Sequence, residues 1–333
     1  MKKKTILICG AGGFIGGHLT ADFLKEGKYN LVCVDIKPKE YWFQYFDDAK
    51  NFSLDLKEYE NCLLATKDVD YIYNFSCNMG GMGYIENNKA ECMLSVLTNT
   101  NLLRSALING AQKYLFASSA CVYNGSKQSK NFIPGLKEED AYPADPEDGY
   151  GWEKLFSERM CRHFSEDFKI ATRVVRYHNI YGPLGTFDGG REKAPAAICR
   201  KIANAKINNL NSIDVWGDGE QTRSFLYIDD CIEGTKQVFN NDYSSPFNVG
   251  SEEQVSINQM SEMIEEIANY KVKKNYQLDK PLGVRGRSSD NTLTKEKIGW
   301  EPNYKLKQGL EKTYKWIFDE LKSGSNVNKF TRN

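Results

Sequence analysis

The segment ILICGAGGFIGGHL, residues 6–19, constrains the fold more than any other part of the chain. A short apolar run reads as a buried strand, the glycines after it permit a tight turn, and helical apolar spacing then begins. Strand, glycine turn and helix in that order make the first half of a crossover unit, and such units build parallel sheets. Gly10, Gly13 and Gly16 stand three apart. At that spacing the backbone can approach a pyrophosphate, whose charge then rests on the helix N-terminus opened by Phe14 and Ile15. LVCVDIKP follows as a second strand, and Asp35 at its end can accept hydrogen bonds from an adenosine ribose. A carboxylate there repels a 2′-phosphate, which favours NAD over NADP, with Lys37 and Lys39 nearby acting in the opposite sense. Asp55, followed by Leu56 in SLDLKEY, is either an adenine contact or a helix-capping aspartate.

Further strands are expected at Tyr71 to Phe75, Tyr114 to Ser118 and Thr172 to Arg176, and helices at Ile15 to Glu26, Leu94 to Asn109 and Gly151 to Phe168. The alternation predicts an α/β fold: a Rossmann-type doubly wound parallel sheet with a smaller C-terminal substrate-binding lobe. Residues 1–177 form the cofactor domain, with a returning segment around 222–247, and 178–221 with 248–325 form the lobe. Residues 326–333 read as a frayed polar tail. The 44 basic and 44 acidic residues cancel, so no nucleic-acid or membrane partner is expected from charge. Nine dispersed cysteines without a CxxC pair fit neither a disulfide framework nor a metal site, and suggest a cytoplasmic chain of reduced thiols. The basic, briefly apolar start MKKKTILICGAGG reads as a first strand rather than a signal peptide.

DGYGWEK holds Tyr150 and Lys154 at i and i+4, on one helix face. An ammonium beside the phenol lowers its pKa, and a tyrosinate can take a hydroxyl proton as hydride leaves the same carbon. Ser119, on the strand before, completes a serine, tyrosine and lysine set. In SSACVY, Cys121 is by residue type a small core filler. Its place two residues after Ser119 makes it a candidate proton carrier instead.

These residues resemble the extended short-chain dehydrogenases and reductases, through FASSACVY, YGWEK, HNIYGP, SFLYIDDC and NVGS. More narrowly, NMGGMGYIENN (78–88), HNIYGPLGT, GGREKAPAAICRK (189–201), WGDGEQTRSF and GVRGRSSDN (283–291) resemble the GDP-mannose 3,5-epimerase family. The resemblance implies bound NAD, a nucleotide-sugar substrate, a homodimer, and Cys121 with Lys193 as base and acid of epimerisation. Lys193 is also expected to hold Cys121 as thiolate. Ala120 and Cys121 stand where dehydratases of the branch carry an Asp-Glu pair. Gly80, Gly81, Ser119, Ala120, Asn179 and Glu192 are implied at the sugar, and Lys201, Gln221, Arg223 and Arg285 toward the nucleotide and its diphosphate. A surface ion-pair role is the plain alternative for Arg285, and equally for Arg287. Cys77 and Asn78 depart from the family's Ala-Asp, and Asn124 from its proline, which leaves open another GDP-sugar such as a heptose or deoxysugar. Two other readings stand beside it: a carbon-4 epimerase or dehydrogenase with Cys121 inert, and a non-catalytic NAD-binding sensor.

Overall fold

A computed structural model describes residues 3–324 and 327–331. Seven strands form the central sheet: β1 (Thr5–Cys9), β2 (Asn30–Asp35), β3 (Lys50–Ser53), β4 (Tyr71–Asn74), β5 (Lys113–Ser119), β6 (Ala171–Tyr177) and β7 (Phe247–Val249). Their order across the sheet is β7-β6-β5-β4-β1-β2-β3, and every pairing is parallel. Along β1, Ile6 and Ile8 join the core on one face while Leu7 and Cys9 join the core on the other. A sheet buried on both faces explains why its strands read as continuous apolar runs. Between β1 and β4 the winding reverses, so a crevice opens at the carboxyl ends of the strands.

Two parts of the sheet lie outside the strands expected from sequence. The KNFS of β3 is a short edge strand, partly exposed along its length, with a single large apolar residue and no alternation to detect. The returning segment consists of the helix Ile228–Asn240 and β7, which docks beside β6.

Three helices dominate the faces near the site: α1 (Phe14–Glu26), α2 (Ser95–Ile108) and α3 (Tyr150–Phe168). Among the described residues three small sheets stand outside the central one, the shortest pairing Ile180–Tyr181 with Leu226–Tyr227. Ser212–Trp216 pairs with Lys273–Gln277, and Thr222–Ser224 lies between Gln254–Ser256 and Gly286–Arg287. The tail expected to fray is docked where it is described. Residues 325, 326, 332 and 333 lie outside the described residues, but Phe330 is 3% exposed and its ring meets Phe43, Phe187 and Trp316. One buried aromatic is enough to dock a polar tail. Among the described residues, no helix is long and apolar enough to cross a membrane.

A buried ion pair fixes the carboxyl end of β5. Arg176 on β6 donates from Nε to Glu158 Oε1 at 2.9 Å and from Nη2 to Oε2 at 2.7 Å, and Ser118 Oγ donates to the same carboxylate at 2.5 Å. The Arg176 and Glu158 side chains are 3% and 5% exposed, so removing one strands the other. Glu158→Ala should therefore cost about 3–5 kcal/mol, measured as a lower urea midpoint, while the apolar pair Glu158→Leu with Arg176→Met should cost less than the single change.

Candidate active site

The glycine loop leaves a cradle of backbone. Gly10 has φ +79°, a conformation costly for any side chain, and a Cβ at Gly16 would lie 2.2 Å from the Gly10 carbonyl oxygen. Asp35, 6% exposed, ends β2 beside this loop; burial raises its carboxyl pKa, and the Lys37 charge opposes that rise. Lys37 folds back over the loop, its Nζ donating to the Gly12 carbonyl at 2.8 Å and its backbone N–H to Asp35 Oδ1 at 3.0 Å. Phe14 lies under Gly182 and Gly185, and Ile15 packs on the core. Asp55 Oδ1 accepts the Lys57 N–H at 2.9 Å in a local turn, with Leu56 buried beneath it. A strand, a side-chain-free turn, a helix N-terminus and a buried acid fit the pyrophosphate and ribose of NAD.

Ser119 ends β5 and its Oγ accepts the Cys121 N–H at 3.2 Å. Tyr150 opens α3 with its phenol near Ser119, and Lys154 lies one turn on with Nζ 5.4 Å from the Tyr150 ring centre. The ammonium is 1% exposed, stands 3.4 Å from Glu153 Oε2 and faces Cys77. Burial alone would discharge it; these partners keep its pKa above the usual value. The sequence-based expectation of a lowered Tyr150 pKa is not met in the chain by itself. Burial pushes the phenol well up, and Cys77, Cys121 and Glu153 add to the rise.

Cys121 is 8% exposed, in one cluster with Tyr150, Ile85 and Cys92. Its backbone is gripped: the carbonyl accepts the Glu147 N–H at 2.9 Å, and a Cβ at Gly151 would lie 2.4 Å from that oxygen. Burial and the facing Glu147 carboxylate push the thiol up to about 11, with Arg287 pulling down. Arg287 is the residue that sequence reasoning misplaced. It is 4% exposed, donates from Nη1 to Cys121 Sγ at 3.4 Å and from Nε to Gln128 Oε1 at 2.6 Å, and has Glu147 Oε2 3.6 Å away. The surface ion pair falls to Arg285 instead, which joins Asp218 at 3.1 Å. Arg287 is therefore the cation hydrogen-bonded to the thiol, where Lys193 was expected. Lys193 faces Cys121 from the start of the helix Ala194–Ile207, and burial lowers its pKa.

The other sequence-derived residues are placed as follows. Gly81 donates its N–H to the Arg191 carbonyl at 3.0 Å, and a Cβ there would lie 2.5 Å from the Glu192 carbonyl oxygen. Its smallness thus serves the contact between the glycine-methionine loop and the segment bearing Lys193, while Gly80 lies tight against the Tyr84 side chain. Asn78 Oδ1 accepts from Tyr84 at 2.8 Å and from Arg191 at 3.0 Å, which uses up the oxygen at the position that departs from the family. Glu192 accepts the Gly190 N–H, Asn179 donates to the Ser224 carbonyl, and Lys201 to the Asp214 carbonyl. Ala120 is buried, and Gln221 holds the Trp216 carbonyl while its Oε1 has no partner among the described residues. Arg223 donates to the Thr222 and Leu282 carbonyls, and burial with Arg287 nearby lowers its pKa to about 9.

The model of the NAD dependent epimerase/dehydratase family matches residues 6–250. GDP-mannose 3,5-epimerase 1 of Oryza sativa subsp. indica is 44% identical over 321 residues, covering 96% of this chain and 83% of its own. GDP-mannose 3,5-epimerase of Arabidopsis thaliana is 43% identical over 330 residues, covering 98% and 86%. The chain belongs to the NAD dependent epimerase/dehydratase family. Within that family it groups with the GDP-mannose 3,5-epimerases, as the NMGGMG and REKAPAA stretches implied, and NAD is its cofactor. The fold is shared with UDP-glucose 4-epimerase of Thermotoga maritima, with a TM-score of 0.83 at 23% identity over 95% of this chain and 99% of the other. It is shared also with UDP-glucuronic acid 4-epimerase from Bacillus cereus in complex with UDP-glucuronic acid and NAD, at 0.80 and 24% over the same shares.

Two outcomes are expected of an NAD-dependent family member built this way. Gly16→Ala should lose bound NAD, read as the nucleotide released per chain on denaturation, with little change in far-UV circular dichroism. Arg287→Met should raise the Cys121 pKa further, slowing alkylation of the Cys121 peptide by iodoacetamide at fixed pH by about tenfold.

Proposed function

We propose that the chain is a GDP-mannose 3,5-epimerase: carbon 4 is oxidised, carbon 5, carbon 3 or both are inverted, and carbon 4 is reduced again. The observation that carries the reading is the position of Cys121, two residues past Ser119, clustered with Tyr150, hydrogen-bonded to Arg287 and close enough to Lys193 to feel its charge. Bound NAD supplies the hydride acceptor for carbon 4, and the resulting ketone acidifies the hydrogens on carbons 3 and 5. Tyr150 takes the carbon-4 hydroxyl proton, with Ser119 orienting that hydroxyl and the Lys154 ammonium stabilising the phenolate.

Inversion needs a proton removed from one face of the sugar and delivered to the other. Cys121 and Lys193 are the pair assigned to these two transfers. Arg287 favours the thiolate when Cys121 gives up its proton, and burial of Lys193 makes its ammonium a readier donor. Arg223, buried with no carboxylate hydrogen-bonded to it among the described residues, suits a diphosphate oxygen, with Lys201 and Arg285 nearer the rim. The proposal extends to a cytoplasmic homodimer. Leu97 on α2 with Trp152 and Phe156 on α3 are 44%, 44% and 51% exposed, a helix-pair surface suited to a second copy.

The test is incubation with GDP-mannose in deuterated water, followed by NMR of sugar carbons 3 and 5. Deuterium is expected at one or both, and Cys121→Ser should cut its entry by about a hundredfold or more. No deuterium at either carbon would remove GDP-mannose as the substrate.

A further inference from the structure

Glu147 has no part in the chemistry above, yet it lies against both groups that govern Cys121. Its backbone N–H is fixed to the Cys121 carbonyl at 2.9 Å, its carboxylate faces the thiol, and its Oε2 stands 3.6 Å from Arg287 Nη1, the same nitrogen that donates to Cys121 Sγ at 3.4 Å. One cationic nitrogen therefore serves a thiol and a carboxylate together. The pair is buried: the Arg287 and Glu147 side chains are 5% and 14% exposed, and both Glu147 Oε2 and Arg287 Nη2 are buried without a hydrogen bond of their own among the described residues. Such under-satisfied groups in low dielectric interact strongly with whatever charge appears beside them.

We propose that Glu147 competes with Cys121 for the Arg287 guanidinium and so sets the fraction of Cys121 that is thiolate, a positioning residue for the acid-base cysteine. While Glu147 is ionised, Arg287 is partly neutralised and a second negative charge next to it is unfavourable, so Cys121 rests as the thiol. Movement of the Glu147 carboxylate away from Arg287 releases the guanidinium to the sulfur. The site thereby keeps a reactive thiolate from persisting in the resting enzyme, where oxidants and electrophiles would consume it. Other charged or titratable groups facing Cys121 are Tyr150, Lys193 and Arg223, none of which bridges the thiol and a carboxylate in this way.

The inference rests on the epimerase reading for its purpose but not for its test. Removing a negative charge lowers the pKa of its neighbours, so Glu147→Gln should speed iodoacetamide alkylation of the Cys121 peptide at fixed pH by about tenfold or more, opposite to Arg287→Met. Glu147→Asp, which keeps the charge, should stay within about twofold of the parent. The same chains are then assayed for carbon-bound deuterium exchange on GDP-mannose. An unchanged or slower alkylation in Glu147→Gln overturns the role of Glu147, even if exchange proceeds. Faster alkylation without exchange in any chain supports Glu147 and removes the substrate assignment instead.

Discussion

Seven parallel strands put all their carboxyl ends on one edge, and everything reactive in this protein follows from that constraint. β1 delivers the glycine loop, β2 delivers Asp35, β4 leads into the loop that carries Cys77 and Asn78, and β5 delivers Ser119 and Cys121. The strands cannot slip without moving their side chains to the other face, so the spacing of these groups is held by the core rather than by the loops. The buried bridge from Arg176 to Glu158 and Ser118 ties β5, β6 and α3 together one residue before Ser119.

Charge organises the site as strongly as the backbone does. Lys154, Lys193, Arg223 and Arg287 are cations held in or near the interior, with Glu147 and Glu153 as the close carboxylates. Burial lowers the pKa of Lys193 and of Arg223, while acidic neighbours raise those of Lys154 and Arg287. A diphosphate entering this pocket meets cations that lack full compensation, and its arrival favours their charged forms. In the proposed reaction, substrate binding and the protonation of Cys121 and Lys193 would be coupled through the same few groups.

The sequence was most legible where one short segment carries the whole physical cause. The glycine turn with its flanking strand and helix, and the i and i+4 pair of Tyr150 and Lys154, are local and appeared where expected. Arg287 was not legible, because it acts 166 residues away from Cys121 and nothing in the spacing of VRGR separates it from Arg285. The physical signal was Gly286, where a Cβ would meet the Lys130 carbonyl oxygen at 2.3 Å, a close strand approach that carries Arg287 inward. Gly81 has a local cause that spacing does not reveal: a Cβ there would meet the Glu192 carbonyl oxygen at 2.5 Å. Protonation was harder to read still, since residue type suggests that a cation near Cys121 yields a thiolate, whereas burial and Glu147 reverse the sign.

If Cys121 and Lys193 are the proposed base and acid, they must meet opposite faces of one sugar ring. A crystal structure of the Cys121→Ser protein with NAD and a GDP-sugar bound tests it directly. The expected result places the hydroxyl oxygen introduced at position 121 and Lys193 Nζ on opposite sides of the ring at carbons 3 to 5, with the carbon-4 hydroxyl on Tyr150. Both groups on one face, or the side chain at position 121 turned away from the ring toward Glu147, would contradict it.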